Sequence, residues 1–309
     1  MLGKLIFILI IFSSPSYIIA QCCSPGGPTV GSLSSGTVWK NNLKFTTYYQ
    51  YGISADYRDG SSISDFDLLN KGYYNFIGIL ASYGVTNNFT LTLESGYYIT
   101  KTQDYNLDVS DNILEGFGLT ELTILPKYSI LNAIDNYFDL SFGLGIKIPF
   151  TREQQLSNNV VLPIDVQPSS NALGFISDLY LNYPLNYNDL QLMLFNRIDM
   201  NTDTDFIGTK YTNGTRVATS INMLYGISDK FSSLYQLKHE FRAQDKRDNK
   251  LIDASGYNIF FISTQIIYLF DELIQTSLLF DYPLYENYNG VQLSIDYKVS
   301  FAMTYNLRF

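Results

Sequence analysis

Residues 291–309 read VQLSIDYKVSFAMTYNLRF. The odd positions, Val291, Leu293, Ile295, Tyr297, Val299, Phe301, Met303, Tyr305, Leu307 and Phe309, are all apolar or aromatic. The even positions, Gln292, Ser294, Asp296, Lys298, Ser300, Ala302, Thr304, Asn306 and Arg308, are polar except for Ala302. A two-residue period makes a strand with one greasy and one polar face. Soluble strands usually run about 5–6 residues. One strand spanning all of 291–309, with aromatics near its ends, fits the lipid-facing wall of a barrel.

The alternation recurs upstream. Phe138, Leu140, Phe142, Leu144, Ile146 and Ile148 interleave with Asp139, Ser141, Gly143, Gly145 and Lys147, and Phe89, Leu91 and Leu93 with Thr90, Thr92 and Glu94. The pattern predicts twelve strands, near 43–52, 72–85, 89–100, 117–131, 137–149, 174–183, 190–200, 216–227, 231–242, 257–270, 273–282 and 291–309. Short connections fall at 86–88, 132–136, 184–189, 228–230 and 271–272. Longer ones fall at 53–71, 101–116, 150–173, 201–215, 243–256 and 283–290. An even strand number with short periplasmic turns and long extracellular loops predicts an all-β fold, a closed antiparallel transmembrane barrel. An open sheet in lipid leaves edges unpaired, so the first and last strands are expected to pair. Tyr305, Leu307 and Phe309, on one face of the final strand, also resemble the C-terminal signal read by the bacterial barrel-assembly machinery.

Residues 1–20, MLGKLIFILIIFSSPSYIIA, carry Lys4, an apolar run from Leu5 to Phe12 and a small residue at Ala20. That layout predicts a secretory signal peptide cleaved after Ala20; a membrane-spanning helix needs about 20 apolar residues. Residues 21–40 read as a Gly/Ser/Pro-rich periplasmic leader or plug, and 41–309 as the barrel, placed in the outer membrane of a Gram-negative bacterium. The vicinal Cys22 and Cys23 are read chiefly as part of a flexible tail, with a ring disulfide as the alternative. Trp39 sits at the edge of the first strand, where an amphipathic ring suits a membrane interface.

The balance of 29 acidic against 20 basic residues, a net charge of −9, lacks the basic footprint of a nucleic-acid binder. One histidine and two adjacent cysteines are too few for a structural zinc site. A mean hydropathy of zero becomes the average of a lipid face and a polar lumen face. The charged residues expected on the lumen face are Lys44, Glu94, Glu121, Lys127, Asp139, Lys147, Asp178, Arg197, Asp199, Lys238, Glu240, Arg242, Asp281, Asp296, Lys298 and Arg308, eight acids and eight bases. Such balance predicts ion pairs across neighbouring strands. Either these pairs hold a narrow barrel together or some of them line a permeation path. The loops lean acidic, with Asp56, Asp59, Asp65 and Asp67 in one and Asp104, Asp108, Asp111 and Glu115 in the next. They read as a solvated face, with divalent ions bridging lipid headgroups as the alternative.

A nucleophile needs a base within hydrogen-bond reach. The sole histidine, His239 in LKHEF, takes a lipid-facing position between Leu237 and Phe241. The outer-membrane phospholipase family places its serine two residues after the histidine, and Phe241 stands there. We read the chain as a non-enzyme without cofactor or metal.

EGFGLTELTILPKYSIL (115–131) followed by DLSFGLGIKIPF (139–150) resembles the core of outer-membrane proteins of the phenol-degradation (MetA-pathway) transporter family. VVLPIDVQPSSNALGF (160–175) is similar to that family's loop before the next strand, and PLYENYNGVQL (283–293) to its penultimate hairpin. Thr120, Thr151 and Pro168-Ser169-Ser170 depart from the family's pattern. The resemblance implies passive uptake of small apolar or aromatic molecules through a porin-like channel; the barrel pattern and the C-terminal signal make outer-membrane lipid and the assembly machinery the expected partners. The rival is a non-transporting structural barrel or a subunit of a larger outer-membrane complex.

Overall fold

The computed structural model describes residues 36–106, 112–131, 138–157, 159–186 and 190–309. The expected signal peptide, the leader up to residue 35, Cys22, Cys23, Asp108, Asp111 and the 132–136 turn lie outside the described residues.

Twelve strands build the wall: β1 (Asn42–Ser54), β2 (Leu69–Gly84), β3 (Phe89–Tyr105), β4 (Glu121–Leu131), β5 (Asp139–Pro149), β6 (Gly174–Asn186), β7 (Leu190–Asn201), β8 (Arg216–Gly226), β9 (Phe231–Arg242), β10 (Tyr257–Leu269), β11 (Ile274–Leu293) and β12 (Tyr297–Arg308). Each pairs antiparallel with the next. β1 pairs with β12 from Asn42↔Arg308 to Ile53↔Tyr297, which closes the barrel. Closure follows from the solvent: a backbone N–H or C=O at an open edge in lipid has no water to bond.

The two-residue period sets the faces. Leu144, Ile221, Ile262 and Phe301 stand exposed on the outer surface, whereas Thr46, Gln50, Asp178, Glu240 and Lys298 are buried in the lumen. Outward apolar and inward polar residues make a transmembrane wall, with the long loops on the extracellular side.

Two expectations are corrected. Residues 291–309 are not one strand: Val291 and Leu293 belong to β11 and pair with Asp59 and Tyr57, and β12 begins only at Tyr297. In the break, the Ser294 and Asp296 N–H groups donate to the carbonyls of Asp56 and Ile53. Ile295 turns inward beside Tyr257, Ile259, Phe261 and Tyr288 instead of facing lipid. The alternating pattern runs through this bend because an apolar Ile295 suits the aromatic cluster inside as well as lipid outside. The expected 283–290 loop is likewise part of β11, and the 101–116 loop contains the end of β3 and a strand at Ile113–Leu119 paired with it. The loops after β7 and β9 form a shared four-stranded sheet outside the barrel, joined at Tyr211↔Arg247 and Thr212↔Lys246.

Inside the wall, aromatic rings of β1 and β2 lie flat over glycines of adjacent strands. Tyr74 covers Gly52, Tyr48 covers Gly78 and Phe76 covers Gly96. A β-carbon at Gly78 would meet the Tyr48 ring at 2.2 Å, and one at Gly96 would meet Phe76 at 2.0 Å. Overpacking of this kind typically costs about 1–3 kcal/mol. Gly78→Val is therefore expected to lower the temperature at which the folded, fast-migrating gel band converts to the unfolded one. An unchanged transition would show that Tyr48 has room to move.

Candidate functional site

β3, β6 and β7 carry Glu94, Asp178 and Arg197 at inward positions, and Asp178 and Arg197 face each other in register. Arg197 Nε donates to Asp178 Oδ1 at 2.6 Å and Nη2 to Oδ2 at 2.8 Å. The same guanidinium donates to both Glu94 oxygens, at 2.9 and 2.8 Å. Three strands separate β3 from β7, so this second fork crosses the lumen. Lys127 of β4 lies 3.3 Å from Asp178. Two carboxylates thus meet a guanidinium and an ammonium, and the planar fork of arginine suits bidentate pairing with both acids.

The other half of the wall carries a second network. Lys238 of β9 lies 3.2 Å from Asp281 of β11, and Glu240 pairs with Arg216 of β8 at 3.1 Å and with Lys298 of β12 at 3.9 Å. Ser263 of β10 donates to Asp281. The Lys238 and Lys298 ammonium groups lie 4.7 and 4.8 Å from the centre of the Phe261 ring, a favourable cation–π distance. Between the two networks, β1–β3 supply Tyr48, Tyr74, Phe76 and Tyr98, with the Phe76 and Tyr98 rings 4.9 Å apart.

The loop between β5 and β6 hooks onto the inner wall. Glu121 Oε1 accepts from Ser169 Oγ at 3.1 Å, Ser170 N at 2.7 Å and Ser170 Oγ at 2.6 Å. Lys101 Nζ donates to the Gln167 carbonyl at 2.9 Å. The buried Gln167 side chain accepts from Gln155 N and donates to the Leu162 and Gln155 carbonyls, which fixes the loop's own shape. At the periplasmic end, Val38 N donates to Thr90 Oγ1 at 2.8 Å. Gly36 packs so close to Tyr180 that a β-carbon would lie 2.9 Å from its ring. Tyr180 belongs to β6, so Gly36 and Val38 lie against the inner side of the wall.

These parts border a cavity of about 290 Å³ lined by Tyr48, Phe76, Tyr98, Lys101, Asp165 and Arg197 among others. Burial pushes the Asp165 carboxyl up to about 6 from its ordinary 3.8, against the pull of Arg242 and Lys101.

The expected lumen residues distribute as follows. Glu94, Lys127, Asp178 and Arg197 form the first network and Lys238, Glu240, Asp281 and Lys298 belong to the second. Lys147 pairs with Asp199 at 3.3 Å on the cavity wall, and Arg242 with Asp245 at 2.8 Å. Glu121 holds the loop. Lys44 and Asp139 occupy the periplasmic ends of β1 and β5, away from the cavity. Asp296 lies in the 294–296 break, off the wall strands. Tyr305 and Leu307 lie on β12, and Phe309 N donates to the Asn41 carbonyl at 2.9 Å.

Sequence reasoning missed Lys101, Gln167, Ser169, Ser170 and Arg216. Arg216 was findable, since its even position shares the inward face with Ala218 and Ser220. Lys101 was not: a bulge between Tyr98 and Lys101 reverses the parity of β3. His239 faces outward, 2.7 Å from Asn258 Oδ1 and stacked on Phe260 at 4.5 Å. Among the described residues no group of three or more His, Cys, Asp and Glu is placed to hold a metal ion.

No family model matches the sequence, and no curated protein matches it. In fold, the chain is similar to an outer-membrane channel from Pseudomonas putida F1, with a TM-score of 0.67 at 12% identity over 88% of this chain and 97% of that one. It also aligns with the NanC porin (TM-score 0.46, 14% identity, 86% and 100% covered). A FadL homologue of Pseudomonas aeruginosa aligns over 86% of this chain and 90% of its own, with a TM-score of 0.45 at 9% identity. The first of these likenesses shows a shared outer-membrane barrel fold.

Two outcomes follow from the site. Arg197→Met leaves Glu94 and Asp178 without their main counter-charge, and breaking a buried pair costs roughly 3–5 kcal/mol. Urea unfolding in detergent is expected to show that loss, and a change under about 1 kcal/mol would mean the charges are solvated. Asp165 binds its proton more tightly in the docked loop than in a free one. It therefore favours docking most below about pH 3.8, and that contribution is lost as pH rises through about 6. Amide exchange at Asp165–Gln167, corrected for intrinsic rates, is expected to be slower at pH 4 than at pH 7, with Asp165→Asn erasing the difference.

Proposed function

We propose that this barrel is a passive outer-membrane channel for small molecules, apolar or aromatic in character. The observation that carries the reading is the cavity of about 290 Å³ inside a closed wall, bordered by aromatic rings on one side and paired charges on the other. Pockets that take small ligands combine apolar walls with a few placed polar groups. The narrower assignment, to the phenol-degradation transporter family, rests on the motifs at 115–131, 139–150, 160–175 and 283–293 alone. In the same reading, residues 1–20 are removed after Ala20, residues 21–40 act as a leader that plugs the periplasmic mouth, and Tyr305, Leu307 and Phe309 serve insertion by the assembly machinery. The contacts of Gly36 and Val38 inside the barrel support the plug.

The second reading, a non-transporting structural barrel, is favoured by the Arg197–Glu94 fork across the lumen. Planar-bilayer recordings separate the two. The channel reading expects small discrete conductance steps from the full mature chain and larger ones after deletion of residues 21–38. Silence from both proteins at every voltage supports the structural barrel.

A further inference from the structure

Most charged side chains bordering the cavity hold an opposite charge in contact. Lys147 pairs with Asp199, Arg197 with Glu94, Arg216 with Glu240 and Arg242 with Asp245. Glu121 is engaged by Ser169 and Ser170. Two opposite charges on the cavity wall differ. Lys101 Nζ donates to the Gln167 carbonyl at 2.9 Å, but no carboxylate of the described residues stands within ion-pair distance of it. Asp165, on the loop between β5 and β6, makes no side-chain hydrogen bond or ion pair with any described residue. Both side chains are half-buried and border the same cavity.

The fold holds these two charges apart. The Val166 and Gln167 N–H groups donate to the Pro163 carbonyl at 2.9 and 3.2 Å, which sets Asp165 in a tight turn. The Gln167 side chain ties that turn to Gln155 and Leu162, and the Gln167 carbonyl holds Lys101. Opposite charges attract strongly where the dielectric is low, so keeping them out of contact has a cost. The cost shows at Asp165, whose carboxyl is pushed up to about 6 by burial although Arg242 and Lys101 pull it the other way. Arg242 is itself neutralised through both oxygens of Asp245. A carboxyl perturbed by burial beside a specific charge, in a cleft, marks a functional site.

A simple anion at Lys101 faces the Asp165 carboxylate, and a simple cation at Asp165 faces Lys101 and Arg242. A solute carrying one carboxylate and one ammonium meets a complementary charge at both ends, and one of amino-acid size suits a cavity of about 290 Å³. Resting on the channel reading for access to the lumen, and going beyond it in ligand class, the geometry points to a binding site for small zwitterions of the amino-carboxylate type. The carboxylate accepts from Lys101 and the ammonium donates to Asp165. The wall supplies one half of the site and the docked loop between β5 and β6 the other.

The test is saturation-transfer NMR on the detergent-solubilised full mature chain. The probes are glycine, β-alanine and 4-aminobutyrate, which differ in the spacing of their two charges, with butyrate and butylammonium as single-charge counterparts. At least one zwitterion is expected to bind about tenfold more tightly than either single ion, each of which lacks one charge-assisted hydrogen bond. Lys101→Met is expected to weaken that zwitterion about tenfold while butylammonium binds no less tightly, and Lys101→Arg to restore most of the loss. Asp165→Asn is expected to weaken it about tenfold while butyrate binds no less tightly. The heat-modifiable gel band shows that each variant is folded, and the comparison of probes on the unsubstituted chain decides the site where a variant does not fold. No binding, a single ion that binds as well as every zwitterion, or a zwitterion affinity that either substitution leaves unchanged overturns the site. Binding is read without current, so zwitterion binding by a chain that is silent in planar bilayers upholds the site while the channel reading fails.

Discussion

Every backbone N–H and C=O within the hydrocarbon layer must find its partner inside the protein. The seam between β1 and β12 meets that demand. Residues 42–53 pair with 297–308 without a slip, and the Phe309 N–H extends the ladder to Asn41. With the seam shut, the sheet has no edge. Each side chain is then assigned to lipid or to lumen by its parity alone, and a shift of one residue would exchange the two faces.

Closure also decides what the lumen contains. Charged side chains confined there interact through a medium of lower dielectric than water, so an uncompensated charge is costly. The two networks answer this locally, Arg197 with Glu94, Asp178 and Lys127, and Glu240 with Arg216 and Lys298. Arg197 and Glu94 lie 103 positions apart in the chain and meet only because the wall curves around. The aromatic side of the lumen uses a different device. A barrel of this strand number lies between side-chain-filled small barrels and water-filled porins, and rings laid flat on Gly52, Gly78 and Gly96 cover the wall without filling the bore.

Reading the chain by its two-residue period works where strands are regular and fails where the backbone departs from the ladder. It places Glu94, Asp178, Arg197, Lys238, Glu240, Asp281 and Lys298 on the inner face, because no bulge lies between them and their strand neighbours. It carries one strand through Ser294–Asp296, since Ile295 is apolar whether it meets lipid or Tyr288. It loses Lys101, since one extra residue near Ile99 turns the following side chains over. The loop residues Gln167, Ser169 and Ser170 follow no period, and their roles depend on Gln155 and Glu121, which the fold brings to them.

The sequence by itself determined the class of fold, the strand count, the sidedness of the loops and the alternation that separates outward from inward side chains on the regular strands. Each of these follows from local alternation and from the rule that lipid tolerates only closed hydrogen bonding. The tertiary structure alone decided which charges pair, that Arg197 spans the lumen, that the loop after β5 docks on Glu121 and that Lys101 points into the cavity. Those are contacts between residues far apart in the chain. They depend on barrel curvature, on register and on the bulge in β3, and a two-residue period carries no information about any of the three.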